Sequence, residues 1–243
     1  MLMAMENRIT LYIAGDSTAA AKEERARPET GWGECLPAYL SPSVRVENRA
    51  ANGRSSRSFL EEGRLEAILG TIRPGDYLLI QFGHNDSKED PARRTEPVSE
   101  FPATLLRYAE GARAAGAVPV LLTPVVRRHF ETAGRDRELS VLKDTHGPYL
   151  AAVKRLAAAE GLALLDLESR TRAVVESLGE RESRRLYLHL APGEFARYPN
   201  GLADDTHFSP AGADRVASLA AAEILRLSPF FPSLEPLARL VRA

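Results

Sequence analysis

The sequence predicts an α/β protein built on a parallel, doubly wound sheet of five strands. Short β-branched and aromatic runs alternate with segments of helical periodicity along most of the chain. Several of these runs are almost continuously apolar, as expected for parallel strands that helices cover on both faces. The 243 residues, 44% of them hydrophobic, suffice for one large core. We therefore expect residues 1–243 to form a single domain.

The predicted strands occur at intervals that leave room for a helix in each connection, which favours a flavodoxin-like strand order. In chain order the strands are predicted at 11–14, 44–46, 76–82, 118–122 and 162–167. Helical patterns are found at 31–40, 60–69, 98–115, 149–159 and 169–178, and a last helix begins after Ser209 as cap with Pro210 in its first position. Segments 131–138 and 179–205 are predicted to be loops, and the tail from residue 228 is predicted to lie on the surface.

Composition limits the function classes. The net charge is −1 and basic residues are spread along the chain, so neither nucleic acid nor an anionic membrane is an expected partner. No signal-like segment or membrane-spanning apolar run is present in the sequence. Cys35 is the single cysteine and is expected to be a small buried group, which suits a reducing, cytoplasmic location. The expected ligand is a small soluble molecule, and the sequence carries no signal for oligomeric state.

Ser17 is the candidate nucleophile. The first strand breaks at Gly15, and Ser17 follows at its carboxyl end, where open α/β sheets bind ligands. Taken alone, this segment is more readily interpreted as a strand-ending turn in which Asp or Ser caps the next segment. The far end of the chain favours catalysis, because Asp204 precedes His207 by three residues and can orient its imidazole. A serine, a histidine and a carboxylate are the components of an acyl-transfer triad.

Two other strand ends offer donors for the oxyanion that acyl transfer generates. The second strand runs into a turn of small polar residues that contains Gly53, and the third ends in a turn that contains Asn85. We predict an oxyanion hole formed by the backbone N–H groups of Ser17 and Gly53 and the side-chain amide of Asn85.

These segments together resemble the four sequence blocks of the SGNH (GDSL-type) hydrolases. The blocks are 15–17, 48–53, 83–86 and the Asp204/His207 pair, and segments 53–59, 123–128 and 206–212 are similar to the rhamnogalacturonan acetylesterase branch. Thr18 stands where a leucine is frequent in the wider family, which fits that branch and weakens a lipase analogy. The resemblance implies a three-layer α/β/α fold, deacetylation of pectic oligosaccharides, and the roles given above to Ser17, Gly53, Asn85, Asp204 and His207.

Four further residues are candidates for substrate binding. Trp32, between two glycines, is either a sugar-stacking wall or a core aromatic. Arg57 and Arg128 follow strand ends and are candidates to bind galacturonate carboxylates, although a solvated arginine is the commoner outcome. His84 either contacts substrate or holds its loop.

Other functions fit parts of this pattern. A metal site could be drawn from acidic and histidine residues, but no helical His-x-x-x-His pair is present and a serine triad needs no metal, so we expect no metal or other cofactor. The remaining alternatives are a general carbohydrate or small-ester acetylesterase, a lipid esterase or thioesterase, and an inactive carbohydrate-binding protein. The lack of a long apolar lid segment disfavours a lipid esterase, and the intact triad disfavours an inactive protein. His129, His146 and His189 receive no role.

Overall fold

A five-stranded parallel sheet forms the centre of the computed structural model, which describes residues 9–133 and 139–242. Four further strands form two separate antiparallel pairs. The strands in chain order are β1 Thr10–Gly15, β2 Arg45–Asn48, β3 Tyr77–Gln81, β4 Val118–Leu122, β5 Phe130–Ala133, β6 Leu139–Leu142, β7 Ala163–Leu165, β8 Tyr187–Leu190 and β9 Leu202–Phe208.

The order of the central sheet is β2-β1-β3-β4-β7. Numbered among the five central strands this is 2-1-3-4-5, which confirms the predicted flavodoxin-like arrangement. The chain runs outward from β1 to β2 and then crosses back over β1 to β3, so the strand order reverses beside β1. In open α/β sheets a ligand crevice lies at such a reversal, outside the carboxyl ends of the strands. The end of β1 therefore lies at this reversal.

Helices cover both faces of the sheet. They are α1 Trp32–Cys35, α2 Ser56–Glu61, α3 Arg64–Leu69, α4 Glu100–Ala114, α5 Pro148–Glu160, α6 Leu167–Ser183, α7 Pro210–Leu227 and α8 Glu235–Ala238. Because side chains alternate along a strand, Leu11 and Ile13 pack towards α1, α6, α7 and α8, whereas Tyr12 and Ala14 pack towards α2 to α5. The result is the three-layer α/β/α fold that the resemblance implied.

Local sequence explains the helix ends. The Ser209 side chain accepts a hydrogen bond from Gly212 N at 3.2 Å and Pro210 opens α7, as predicted. The prediction of one helix over 60–69 is wrong in detail, because Gly63 adopts a left-handed conformation (φ 69°) and separates α2 from α3. Likewise α6 continues past its predicted end to Ser183, across a non-helical residue at Gly179.

Both segments predicted as charged or broken loops contain strands. Segment 179–205 holds β8 and most of β9, which pair antiparallel with each other. Segment 131–138 holds most of β5, which pairs antiparallel with β6, and its residues 134–138 lie outside the described residues, as do residues 1–8. The β8–β9 hairpin was missed because the glycines and prolines between its two short runs outweighed the runs themselves, and the β5 strand was missed because its segment is rich in charge.

The C-terminal tail is part of the core and not a surface segment. Leu234 and Leu237 are fully buried, and Tyr77 Oη on β3 donates a hydrogen bond to Ser233 O at 2.7 Å. Cys35 is half-buried against the same core, so the prediction of a small buried group is only partly right. Among the helices of the described residues, none has the length and apolar character needed to span a bilayer.

Candidate active site

Ser17 lies at the carboxyl end of β1, one residue beyond a buried aspartate. Asp16 is completely buried, and its Oδ1 accepts hydrogen bonds from Thr18 N at 2.9 Å and Thr18 Oγ1 at 2.8 Å. Such a bond from residue i+2 to an Asp side chain defines a tight turn. The turn leaves Ser17 half-buried at the sheet edge.

His207 and Asp204 meet this serine from the opposite end of the chain. His207 Nε2 is 2.9 Å from Ser17 Oγ, and His207 Nδ1 is 2.7 Å from Asp204 Oδ2. Asp204 Oδ1 accepts hydrogen bonds from Thr206 N at 2.7 Å and His207 N at 2.9 Å. Burial acts to raise the pKa of Asp204, but the bonds and charge of His207 and the two backbone donors outweigh it, so this pKa lies below its ordinary value. The carboxylate is therefore ionised and fixes the imidazole.

An irregularity in the β8–β9 ladder explains how two residues three apart can touch. Tyr187 pairs with Phe208, but the next residue, Leu188, pairs with Asp204. Residues 205–207 are thus extra residues that bulge out of the ladder, and a bulge re-aims side chains relative to the regular alternation. The bulge turns His207 back towards Asp204 while its other ring nitrogen faces Ser17.

The three predicted oxyanion donors lie on separate turns. Among the described residues, the N–H groups of Ser17 and Gly53 have no hydrogen-bond partner. The Asn85 amide is oriented from two sides: its Nδ2 donates to Arg54 O at 3.0 Å and its Oδ1 accepts from Arg93 Nη1 at 3.4 Å. One Nδ2 hydrogen stays available, since an amide nitrogen carries two. The geometry is compatible with the predicted hole, whose role stays a prediction.

His84 packs behind the nucleophile turn and does not face a ligand. Its ring is 2% exposed, and its Nδ1 lies 3.1 Å from Asp16 Oδ2. Burial lowers the pKa of His84 despite the neighbouring Asp16 carboxylate. The prediction of substrate contact is wrong in this structure, because the ring is enclosed; the alternative, that His84 holds its loop, fits the contacts.

Trp32 is a core aromatic and not a sugar-stacking wall. Its side chain is 0% exposed, and its Nε1 donates a hydrogen bond to Gln81 Oε1 at 2.9 Å. The two flanking glycines explain the burial: a Cβ on Gly31 would lie 2.1 Å from Ala20 O, and one on Gly33 would lie 2.5 Å from Asn48 Nδ2. The glycines therefore allow neighbouring protein groups to approach the backbone closely, and they do not open space for a sugar.

Neither predicted carboxylate-binding arginine presents a free guanidinium. Arg128 is 4% exposed and bonds Asp205, Ser183 Oγ at 3.1 Å and Glu180 O at 2.6 Å, so the prediction for Arg128 is wrong. Arg57 is partly exposed, but it pairs with Glu100 Oε1 at 3.0 Å and also bonds Pro91 O. Internal acceptors occupy both side chains.

Two acidic residues that the sequence left without a role support the site. Asp86 follows Asn85 and accepts hydrogen bonds from Ser56 N at 3.0 Å, Ser56 Oγ at 2.5 Å and Gly83 N at 3.0 Å, which joins two of the site's turns. Burial raises the pKa of Asp86 to about 6. Asp205, in the bulge, is 2.7 Å from His189 Nε2. The described residues contain no group of three or more His, Cys, Asp or Glu that could hold a metal ion.

Comparison with known proteins identifies similar chains. A profile of the GDSL-like Lipase/Acylhydrolase family matches residues 13–215. The chain is 43% identical to the rhamnogalacturonan acetylesterase RhgT of Bacillus subtilis, with 92% of both chains covered, and 39% identical to the probable rhamnogalacturonan acetylesterase YesY of the same organism, over 89% of this chain and 93% of YesY.

Two solved structures share this fold. The crystal structure of Bacillus subtilis YxiM superposes with a TM-score of 0.75 at 30% identity; the match covers 91% of this chain and 57% of the YxiM chain. A putative GDSL-like lipase from Parabacteroides merdae superposes with a TM-score of 0.62 at 14% identity, over 89% of this chain and 95% of the lipase chain.

Proposed function

Since the chain belongs to the GDSL-like lipase/acylhydrolase family, we propose that it is a single-domain serine esterase that removes acetyl groups from rhamnogalacturonan fragments. The observation that carries the proposal is the unbroken hydrogen-bond chain Ser17–His207–Asp204. This chain occurs in a protein whose relatives at 43% and 39% identity are named rhamnogalacturonan acetylesterases.

The mechanism follows from the positions of these atoms. Ser17 Oγ attacks the acetyl carbonyl carbon while His207 Nε2 takes the hydroxyl proton, and Asp204 stabilises the imidazolium. The carbonyl oxygen gains negative charge and lies among the donors of Ser17, Gly53 and Asn85. Collapse of this intermediate breaks the bond to the sugar oxygen, which leaves with the proton from His207. The acetyl group then stays on Ser17 Oγ.

Deacylation uses the same groups in reverse. Water attacks the acetyl carbon of acetyl-Ser17 as His207 Nε2 removes a water proton. Breakdown of the second tetrahedral intermediate releases acetate, and the imidazolium returns the proton to Ser17 Oγ. No cofactor takes part in the proposed cycle.

Cationic side chains beside Asn85 support an acidic sugar polymer as substrate. Arg93 contacts the Asn85 amide, and Arg127 Nη2 donates to His84 O at 2.9 Å. Partial burial, together with the positive charges of Arg93 and Arg127, lowers the pKa of Lys88. Arg93 is paired with Asp90 Oδ2 at 2.7 Å, whereas among the described residues Lys88 and Arg127 have no carboxylate partner within ion-pair distance. Galacturonate carboxylates would supply one.

Acetate release from matched oligosaccharides tests the proposal. The substrates are acetylated rhamnogalacturonan fragments, acetylated xylan fragments of similar length and p-nitrophenyl acetate, with Ser17→Ala as the inactive control. We expect the highest kcat/KM on the rhamnogalacturonan fragments, and a preference over xylan that shrinks as salt is added. Equal kcat/KM on both polymers at every salt concentration would assign a general carbohydrate acetylesterase. A cytoplasmic location stays a separate prediction, which cell fractionation tests.

A further inference from the structure

Lys22 lies behind the nucleophile turn, and we propose that it is a positioning residue that holds two of the three oxyanion donors in place. This inference rests on the esterase mechanism proposed above. The Lys22 side chain is 0% exposed, although lysine is rarely buried in full. Its ammonium has three N–H donors and three acceptors: Ser17 O at 2.6 Å, Asn52 Oδ1 at 2.7 Å and Glu29 Oε1 at 2.7 Å. Every donor is therefore used, and two of the acceptors belong to turns of the active site.

The first of these bonds fixes the nucleophile itself. The peptide group between Ser17 and Thr18 is held at both ends, because its carbonyl oxygen accepts from Lys22 and its N–H donates to Asp16 Oδ1 at 2.9 Å. A peptide group is planar, so two opposed bonds determine its orientation. Rotation about the Cα–C bond of Ser17 is thereby blocked. The Ser17 Oγ and N–H keep a constant relation to His207.

The second bond fixes the turn that carries Gly53. Two hydrogen bonds hold Asn52: its side-chain Oδ1 accepts one from Lys22, and its carbonyl oxygen accepts one from Arg54 Nη1 at 2.8 Å. The Gly53 N–H lies in the same peptide plane, opposite the Asn52 carbonyl. Fixing Asn52 therefore aims the Gly53 N–H.

Packing does not hold this turn at Gly53. A Cβ placed on Gly53 would meet no atom within 4 Å, and the residue adopts φ 75°, which only glycine reaches without strain. Hydrogen bonds from the Lys22 and Arg54 side chains therefore add to the turn bond from Arg54 N to Ala51 O at 3.4 Å in keeping the Gly53 N–H in place. Loss of the Lys22 ammonium frees the Ser17 carbonyl and the Asn52 side chain at once, so two donors lose their alignment together.

Glu29 supplies a matched control. Glu29 accepts the third ammonium hydrogen and is mostly buried. It is not part of either active-site turn, and it interacts with Lys22 as the carboxylate of an ion pair. Glu29→Gln removes the ion pair and leaves the bonds to Ser17 and Asn52 intact. If Lys22 acted only as half of a buried ion pair, Lys22→Met and Glu29→Gln would affect the enzyme alike.

The experiment compares kcat, KM and inhibition by phenylboronic acid in the wild type, Lys22→Met and Glu29→Gln, with p-nitrophenyl acetate as substrate. Boronate bonded to Ser17 Oγ is tetrahedral and tests the oxyanion donors directly. We expect Lys22→Met to lose about 100-fold in kcat and a similar factor in boronate affinity at nearly unchanged KM, because small misplacements cost that much. Glu29→Gln should keep kcat within about threefold of wild type.

Asn52→Ala gives a second test that does not depend on the folding of a buried variant, because Asn52 is exposed. It removes one arm of the Lys22 contacts and should lower kcat by about tenfold. Equal kcat in Lys22→Met and Glu29→Gln, or an unchanged kcat in Asn52→Ala, would overturn the positioning role. The polymer preference does not enter, since p-nitrophenyl acetate reports on the esterase reaction whichever sugar is the natural substrate.

Discussion

Replacing His146 by phenylalanine should make the protein less sensitive to acid. His146 is 2% exposed, its Nε2 is buried without a hydrogen-bond partner among the described residues, and its ring meets the His84 ring edge-on at 4.6 Å. Burial, reinforced by the positive charges of His84 and Arg127, lowers the pKa of His146 from 6.5 to about 2. The folded protein therefore keeps this imidazole neutral at any moderately acidic pH.

The sign and size of the effect follow from proton linkage. A pKa that is lower in the folded than in the unfolded chain contributes stability above the unfolded value of 6.5, and this stability is lost as the pH falls below it. Between pH 7.5 and 5.5 only the unfolded chain takes up the proton at His146. Integration over that interval gives a loss of about 1.4 kcal/mol in the free energy of unfolding.

Urea unfolding at pH 7.5 and 5.5 measures this difference. Phenylalanine keeps an aromatic ring against His84 but cannot be protonated. Acidification should therefore destabilise the wild type by about 1.4 kcal/mol more than His146→Phe, whatever other groups titrate in both proteins. Equal losses in the two proteins would mean that His146 takes up a proton in the folded state as readily as in the unfolded chain, and that its burial does not keep it neutral.

Three further substitutions test the site. Ser17→Ala should retain the thermal midpoint but lower acetate release by several orders of magnitude, and near-normal release from the folded variant would refute its role as nucleophile. Asp204→Asn should lower kcat by about four orders of magnitude at similar KM, because the amide favours the wrong tautomer of His207; a loss below about tenfold would contradict this. Arg128→Ala should destabilise the fold by about 1–3 kcal/mol in urea unfolding and leave KM for acidic oligosaccharides unchanged. A KM that rises from wild type to Arg128→Ala for acidic fragments but not for neutral ones would instead restore Arg128 as a carboxylate-binding residue.

The sequence predicted the central sheet because its strands carry their own signal. β1, β3 and β4 are buried on both faces, so their runs are apolar without interruption and helices must separate them. The triad of Ser17, Asp204 and His207 could also be predicted from the sequence, because serine, carboxylate and histidine each have a defined role in acyl-transfer chemistry. The β8–β9 hairpin could not be predicted in this way, because Pro192 and Gly193 between its strands made the whole segment resemble a loop.

Which polar side chains are buried could not be predicted from the sequence. Trp32, His84 and Arg128 are each enclosed by partners distant in sequence: Gln81, Asp16 and Asp205. An arginine after a strand end looks the same whether it faces solvent or a buried carboxylate. Lys22 was missed for the same reason, since the polar run around it reads as a solvated loop. Its only local signal is its position five residues after Ser17.

The two halves of the site come from opposite ends of the chain, and this affects when a growing polypeptide first becomes an enzyme. His207 and Ser17 are 190 residues apart, and the strand that carries His207 is joined to the segment after Ser17 through the bond from Thr30 N to Phe208 O at 3.1 Å. During synthesis the hydroxyl leaves the ribosome long before its base. Labelling of Ser17 by a fluorophosphonate therefore marks the completion of folding and not its onset, so the same probe distinguishes finished molecules from nascent or misdocked ones.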